Sequence, residues 1–115
     1  MSLLITSPYI VDIYGHCGTS VLVQFILGRN IDELLLKEER ENNTNIVLLT
    51  SREKLNMALK MARALSELHG YKDGVIVHDD VQYCQYLLGK DDRVYLSDFN
   101  RAGPLLYDVV HEKYC

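Results

Sequence analysis

The sequence predicts an α+β fold in which a β-hairpin precedes two helices and several short strands. Two apolar runs, residues 10–14 and 21–27, flank a glycine-containing turn, which favours a pair of strands. Apolar residues recur at spacings of three and four over residues 51–68, which favours one long amphipathic helix. Short apolar runs at residues 75–77 and 94–96, each bounded by polar turn residues, complete the mixed pattern.

The composition limits the classes of protein to which the chain can belong. A length of 115 residues with 48% hydrophobic and 24% charged residues is typical of one soluble domain or a piece of a larger one. The net charge of −4 argues against a nucleic-acid partner held through its phosphates. No apolar run approaches the roughly 20 residues of a membrane span, and the N-terminus has no signal-peptide pattern. The 3 widely spaced cysteines predict a reducing, cytoplasmic location without a disulfide framework.

The first two strands are predicted to form a hairpin across residues 15–20. Gly15, Gly18 and Ser20 interrupt the apolar pattern there and supply turn-forming residues. The second run, residues 21–27, is rich in β-branched and aromatic side chains and ends at Gly28.

A short helix is predicted to begin after Asn30. Asn30 and Glu33 have the spacing of a capping box, which satisfies the free backbone donors at a helix start. Its apolar stripe consists of Ile31, Leu34 and Leu35. We expect the charged segment that follows, residues 38–45, to be solvated, with residues 41–45 forming a loop.

The strongest helix signal covers residues 51–68. Thr50 and Glu53 form a second capping-box pattern ahead of it, and Gly70 is expected to end it. The predicted buried face consists of Leu55, Ala58, Leu59, Ala62, Leu65 and Leu68.

Three short strands are predicted in the second half of the chain. They are residues 75–77, 87–88 and 94–96, and the last two flank a polar turn at residues 89–92. Residues 100–115 have weak periodicity and include Gly103-Pro104, so we expect a loop.

Two of these strands end in acidic motifs. Ile76-Val77 leads into His78-Asp79-Asp80, and Val94-Tyr95-Leu96 leads into Ser97-Asp98-Phe99, with Leu87-Leu88 between them. This order and spacing resemble the catalytic core of eukaryotic protein kinases, in which H-R-D-L-x-x-x-N leads through two short strands to D-F-G. Three segments earlier in the chain also resemble parts of the kinase fold. Residues 7–15 look like its fourth strand, residues 21–27 its fifth strand and hinge, and residues 59–69 the helix before the catalytic loop.

The resemblance implies a partial kinase-like fold. Residues 1–28 would supply N-lobe strands and the hinge, and residues 29–115 a mainly helical C-lobe portion up to the activation segment. No residues match the glycine-rich loop, the strand-three lysine or the A-P-E motif. We therefore expect less than half of a kinase domain.

The resemblance also implies the residues of an active site for ATP and Mg²⁺. Asp80 would be the catalytic base that accepts the proton of a substrate hydroxyl, and Asp98 and Gln85 would be the metal ligands. The adenine-binding residues would be Val23, Gln24, Ile26 and Leu87, with Val23 at the gatekeeper position and Leu87 as the floor. The apolar spine between the lobes would contain Ile13, His78 and Phe99.

Several positions depart from the family pattern. Asp79 replaces an arginine that ordinarily meets an activation-segment phosphate, and it would repel one. Gln82 replaces a lysine, which removes a positive charge near the γ-phosphate, and Gln85 replaces the second metal ligand, an asparagine. Asn100 replaces the last glycine of D-F-G, and we expect it to keep the positive φ of that turn.

These observations leave three hypotheses. The first is ATP-dependent phosphoryl transfer to serine or threonine of a protein substrate, by a chain too incomplete to act alone. The second is an inactive pseudokinase-like module that works by protein contact. The third is an unrelated α+β domain. The retained pair Asp80 and Asp98 favours the first hypothesis, and Asp79 with Gln82 and Gln85 favours the second.

Overall fold

The computed structural model describes residues 7–42 and 49–114. The N-terminal hairpin is formed by β1 (Ile13–Cys17) and β2 (Ser20–Val23), which pair antiparallel. The predicted hairpin is therefore confirmed, but both strands are shifted. The turn is limited to Gly18 and Thr19, and Gly18 has the positive φ of 55° that such a tight turn requires.

The sequence places the first strand three residues too early because residues 9–11 pair elsewhere. Val11 N–H donates to the Leu96 carbonyl at 3.0 Å, and Leu96 N–H donates to the Tyr9 carbonyl at 2.8 Å. Ile10 and Val11 are buried by this contact, so these residues are apolar because they pack in the core and not because they belong to the hairpin. The second strand ends at Val23, and the apolar residues up to Leu27 lie outside it.

The first helix, α1 (Ile31–Asn42), begins at the predicted cap. Glu33 N–H donates to Asn30 Oδ1 at 2.8 Å, and the Asn30 amide donates to Glu33 Oε1 at 3.4 Å. The helix continues through Glu41 and Asn42, which the sequence analysis assigned to a loop. Its last two turns are rich in glutamate, lysine and arginine, which are good helix formers. The rest of the expected loop, residues 43–45, lies outside the described residues.

The second helix, α2 (Ser51–His69), confirms the long helix, its N-terminal cap and its end. Thr50 Oγ1 accepts the Glu53 N–H at 3.2 Å, and Glu53 Oε2 accepts the Thr50 N–H at 2.7 Å. Gly70 N–H donates to the Ser66 carbonyl at 2.8 Å, which closes the last turn.

On α2, two of the six residues predicted to be buried, Leu65 and Leu68, lie on the buried face, and the other four do not. Ala64 and Leu68 are buried, and Met57, Met61 and Leu65 pack against the core. Leu55 is 73% exposed and Leu59 48% exposed, and Ala58 and Ala62 are exposed beside them. Both stripes are apolar with helical spacing, so periodicity alone could not choose between them.

The core lies where α1 and α2 meet the strand pair β4 (Tyr86–Leu88) and β5 (Val94–Leu96). Tyr86 pairs with Leu96 and Leu88 with Val94 in an antiparallel register. The buried core side chains are Ile10, Ile31, Ala64, Leu68, Tyr86, Val94 and Leu96. Leu87 pairs with Tyr95, and the alternation of a strand turns these two side chains away from that core.

The segment after residue 100 is not the loop that the sequence predicted. A 3-10 turn (Phe99–Arg101) leads into β6 (Gly103–Pro104), which pairs with β3 (Ile76–Val77), and β7 (Tyr107–Asp108) pairs with β8 (Lys113–Tyr114). Main-chain bonds and ring contacts are among the interactions that hold these elements. Leu105 N–H donates to the Val75 carbonyl at 2.8 Å, and the rings of Tyr107 and Tyr114 meet edge to face at 5.0 Å. Strands of two residues are too short to show the alternation of apolar and polar residues by which a strand is predicted from sequence.

Candidate functional site

The loop after β3 and the loop after β5 are joined by a buried histidine. His78 follows β3 directly and is 2% exposed. Its Nε2 lies 2.8 Å from the carbonyl oxygen of Ser97, and its ring meets that of Phe99 edge to face at a centroid distance of 5.2 Å. His78 and Phe99 are thus in contact, as the sequence analysis expected, and the two acidic motifs are held side by side.

The carboxylate of Asp80 is bound by two side-chain amides. Gln82 Nε2 donates to Asp80 Oδ1 at 2.5 Å, and Gln85 Nε2 donates to Asp80 Oδ2 at 3.3 Å. Both glutamines lie in the short segment between β3 and β4, where a 3-10 turn (Tyr83–Gln85) carries the chain back to the sheet. Asp80 and Gln85, two of the predicted site residues, are therefore in direct contact.

Gln85 is in turn fixed to the strand end that carries Asp98. Its carbonyl oxygen accepts the Ser97 N–H at 2.9 Å and the Ser97 hydroxyl at 2.8 Å. Because Ser97 immediately precedes Asp98, these bonds tie the backbone of both predicted metal-binding residues together. Ser97 was not among the predicted site residues, and its place directly before the acidic motif is the signal that could have marked it.

Two aspartates of the site have left-handed backbones. Asp79 has φ 60° and Asp98 has φ 59°. Aspartate tolerates this region better than most residues, but it remains a sparsely populated conformation that clusters at functional sites. The sequence analysis assigned the positive φ to Asn100, which is wrong: Asn100 lies within the 3-10 turn, and the reversal of the chain occurs at Asp98.

Asp79 points to a partner that the sequence analysis missed. The Arg101 guanidinium donates to Asp79 Oδ2 at 3.1 Å, and the two side chains are 63% and 61% exposed. Arg101 follows the Asp98-Phe99-Asn100 triplet directly. The sequence did contain a signal for this pair: an arginine directly after the triplet, together with an acid, Asp79, at a position where the family has an arginine.

Three of the predicted adenine-binding residues lie at the end of β2 or in the segment that connects it to α1 (the β2–α1 crossing): Val23, Gln24 and Ile26. Gln24 N–H donates to the Asp12 carbonyl at 2.8 Å, and the Gln24 side chain accepts the Asp12 N–H at 3.3 Å. Leu87 is bridged to Asn30, so it lies beside this crossing. Among the described residues, no main-chain bond joins Val23 or Ile26 to Leu87, and Val23 is 46% exposed.

Asp98 and Gln85 carry side-chain oxygen atoms of the kind that Mg²⁺ binds. The Asp98 side chain is exposed and has no hydrogen-bond partner within residues 7–42 and 49–114. Because the Gln85 amide nitrogen binds Asp80, its side-chain carbonyl oxygen remains available. The described part of the chain holds no group of three or more metal-ligating side chains. Mg²⁺ commonly takes one or two protein oxygens together with substrate phosphates and water.

Comparison with family models finds no match for this chain. Curated proteins do match, and all are receptor kinases of Arabidopsis thaliana. The LRR receptor-like serine/threonine-protein kinase EFR is 32% identical over 112 residues, which cover 96% of this chain and 11% of the relative. The probable L-type lectin-domain containing receptor kinase S.7 is 31% identical over 97 residues, 81% of this chain and 14% of the relative.

A third relative matches nearly the whole chain. The wall-associated receptor kinase-like 17 is 28% identical over 111 residues, 93% of this chain and 14% of that protein. The chain therefore spans between about a tenth and a seventh of the length of these relatives. None of the helices within residues 7–42 and 49–114 combines the length and apolarity needed to cross a bilayer.

Proposed function

This chain is a protein kinase-like region, and we propose that it supplies the catalytic loop and the metal-binding aspartate of a kinase that transfers phosphate from ATP to serine or threonine residues of proteins. One observation carries this proposal. The His78 contacts with Ser97 and Phe99 and the Gln85 contacts with Ser97 hold the Asp80 loop against the strand end that carries Asp98.

In this proposal each residue of the site has a separate role. Asp80 accepts the proton of the substrate hydroxyl and orients the hydroxyl oxygen toward the γ-phosphate, and the amides of Gln82 and Gln85 hold its carboxylate in place. Asp98 and the side-chain carbonyl oxygen of Gln85 would hold Mg²⁺, whose charge would neutralise the phosphates.

The nucleotide base would lie at the crossing between β2 and α1. The backbones of Gln24 and Ile26 would bind the adenine edge, with Val23 at its rear and Leu87 beneath it. The bridge between Leu87 and Asn30, which brings β4 beside this crossing, supports the assignment. A division at residue 28 between N-lobe strands with hinge (1–28) and C-lobe portion (29–115) stays a prediction. A cytoplasmic location stays a prediction from the cysteine content.

The proposal is tested by nucleotide binding. The chain is titrated with ATP in the presence and absence of Mg²⁺, and the same titration is run on Asp98→Asn and on the control Asp91→Asn. Asp91 is an exposed residue of the turn between β4 and β5. We expect Mg²⁺-dependent binding that Asp98→Asn removes and Asp91→Asn preserves. Equal binding by both variants would contradict the assignment of Asp98.

A specific observation favours a second candidate, the pseudokinase-like interaction module. Asp79 is paired with Arg101, and a neutral glutamine, Gln82, stands where the resemblance implies a lysine near the γ-phosphate. This arrangement lacks the cation that would attract a phosphate to Asp80. Mg²⁺-dependent ATP binding that requires Asp98 would count against this second function.

A further inference from the structure

Asp98 has a backbone conformation that needs support from its neighbours. Its φ of 59° lies in the left-handed region, and its side chain has no hydrogen-bond partner within residues 7–42 and 49–114. A residue other than glycine keeps this sparsely populated conformation where the surrounding structure fixes it. The direction of the Asp98 carboxylate therefore depends on how the residues before and after it are held.

The residue before Asp98 is held by hydrogen bonds to two segments. Ser97 donates its N–H and its hydroxyl to the Gln85 carbonyl at 2.9 and 2.8 Å, and its own carbonyl oxygen lies 2.8 Å from His78 Nε2. His78 is buried, so water competes little for this last bond. This flank of Asp98 is thus fixed without an ion pair.

The residues after Asp98 are attached to the loop after β3 at two points. The 3-10 turn (Phe99–Arg101) begins with a ring that meets His78 edge to face at 5.2 Å, and it ends with a guanidinium that donates to Asp79 Oδ2 at 3.1 Å. One ring contact leaves the turn able to tilt about that contact, and a second attachment two residues further on limits the tilt. The chain is held again at β6, which begins two residues beyond Arg101.

We propose that Arg101 is a positioning residue for the metal site: its ion pair with Asp79 holds the turn after Asp98, so that the Asp98 carboxylate stays where it can bind Mg²⁺. The inference rests on the proposed function, because Asp98 is the metal ligand in that function. Arg101 acts here through the backbone and touches neither the metal nor the nucleotide. Both side chains of the pair are well exposed, so its effect is modest and depends on charge.

The charge of Arg101 by itself would act on the metal in the opposite direction. A cation near Asp98 repels Mg²⁺, so removal of that charge alone should strengthen metal binding. Loss of positioning should weaken metal binding. The sign of the change in Arg101 variants therefore separates the two effects.

The first test needs no nucleotide. A positive φ brings the amide proton and the Hα of one residue close together, so Asp98 should give a strong nuclear Overhauser effect between these two protons. Arg101→Gln should weaken this signal, and Arg101→Lys, which keeps the charge, should retain most of it. Asp92, with a φ of 54° between β4 and β5, is the reference within each spectrum. An Asp98 signal that Arg101→Gln leaves unchanged relative to Asp92 would overturn the inference.

The second test measures what Mg²⁺ adds to nucleotide binding. The affinity of each variant for ATP is measured with and without Mg²⁺, and the ratio of the two affinities is compared between variants. Arg101→Gln should lower this ratio about two- to fivefold, the range expected of an exposed ion pair, and Arg101→Lys should lower it less. Arg93→Gln is the matched control, because it removes the same charge from an exposed residue between β4 and β5.

The outcomes of the second test separate this inference from the proposed function. If Mg²⁺ raises the ATP affinity equally in the unaltered chain and in Arg101→Gln, the inference is overturned and the proposed function is not contradicted. If Mg²⁺ has no effect in the unaltered chain, both are contradicted. A fall of the ratio in Arg93→Gln as large as that in Arg101→Gln would also overturn the inference, because it would show that net charge sets the ratio.

Discussion

Arg101 and Asp79 form an ion pair across 3.1 Å that joins the segment after β5 to the loop after β3. By the kinase resemblance, the position of Asp79 is ordinarily basic and meets a phosphate. Here the charges are exchanged, with the acid on the catalytic loop and the base on the segment that follows Asp98. The contact therefore forms without any phosphorylation. Asp79 also has a left-handed backbone, with a φ of 60°.

Our first prediction concerns the strength of this pair. Asp79→Asn and Arg101→Gln should each lower stability by less than about 1 kcal/mol, because both side chains are well exposed. The single reversal Asp79→Arg should destabilise more than Asp79→Asn, and the double variant Asp79→Arg/Arg101→Asp should recover most of the loss. Urea unfolding of the set at low and high salt measures the coupling. A double variant no more stable than the single reversal would show that the contact is incidental.

The main elements were predictable because local chemistry specifies them. Thr50 with Glu53 and Gly70 mark the ends of α2, and the apolar alternation of Val94 and Leu96 marks β5. The choice of buried face on α2 could not be predicted, since two apolar stripes have the same spacing and only tertiary contact with β5 selects one. In the site, the kinase resemblance implied that His78 and Phe99 belong to one apolar spine, and their two rings are in contact. The Arg101 pair depends on a contact across 22 residues, so its one sequence signal was an arginine directly after Asp98-Phe99-Asn100 together with an acid at position 79.

The second prediction concerns Tyr86, whose hydroxyl oxygen is buried without a hydrogen-bond partner within the described residues. A buried polar atom without a hydrogen-bond partner destabilises the fold, because it has lost its hydrogen bonds to water and has gained none in the protein. Tyr86→Phe should therefore leave stability unchanged or raise it slightly in urea unfolding at neutral pH. Leu96→Ala, its partner across the strand pair, should lose about 2–5 kcal/mol. Marked destabilisation by Tyr86→Phe would show that the hydroxyl has a partner.

Tyr86 also predicts a dependence on alkaline pH. Burial raises the pKa of Tyr86 above the ordinary tyrosine value of 10.0, because the charged phenolate is poorly solvated in the core. The unfolded chain thus loses this proton before the folded chain does. The stabilisation is complete below the unfolded pKa and is lost as pH rises from about 10 toward the folded pKa. Tyr86→Phe should lessen this alkaline decline in thermal stability.

The third prediction concerns the close approach of Gly28 to β4. A Cβ atom at Gly28 would overlap the carbonyl oxygen of Leu88, whose N–H donates to the Arg29 carbonyl at 2.8 Å. Gly28→Ala must push the β2–α1 crossing away from β4, and overpacking of this kind costs about 1–3 kcal/mol. Gly103→Ala is the control, because a Cβ there meets nothing within 4 Å. Equal unfolding midpoints for the two variants would contradict the close approach.

The fourth prediction concerns the turn between β7 and β8. Asp108 accepts the N–H groups of Val110 and His111 at 2.9 and 3.1 Å, and its other oxygen lies 2.7 Å from His111 Nδ1. These hydrogen bonds hold the pKa of Asp108 below its ordinary value of 3.8, and the bond to the His111 side chain has the largest effect. Their stabilisation is present above the unfolded pKa and is lost as pH falls through the lower folded pKa. Nuclear Overhauser effects between the Tyr107 and Tyr114 rings should weaken in acid.

The matched variant for the turn is Asp108→Asn. It keeps one acceptor for the backbone N–H groups but removes the charge that attracts His111, so its ring contact should be weaker at neutral pH and insensitive to acid. Asp73→Asn is a suitable control, because Asp73 is an exposed acid outside this hairpin that bonds to Tyr71. Ring contacts that persist unchanged in Asp108→Asn would show that the Tyr107–Tyr114 pair forms the turn without help from Asp108.

The fifth prediction is that residues 1–115 alone transfer phosphate at no useful rate. Asp80 and Asp98 supply a base and a metal ligand, but no residue of the sequence matches the lysine that grips the α- and β-phosphates, and none matches the glycine-rich loop that covers them. Loss of such positioning costs several kcal/mol of barrier, which is about a thousandfold or more in rate. Transfer from labelled ATP to a protein acceptor measures this. Turnover by the unaltered chain that Asp80→Asn abolishes and Asp91→Asn leaves intact would prove the prediction wrong, because it would show that the Asp80 and Asp98 loops suffice.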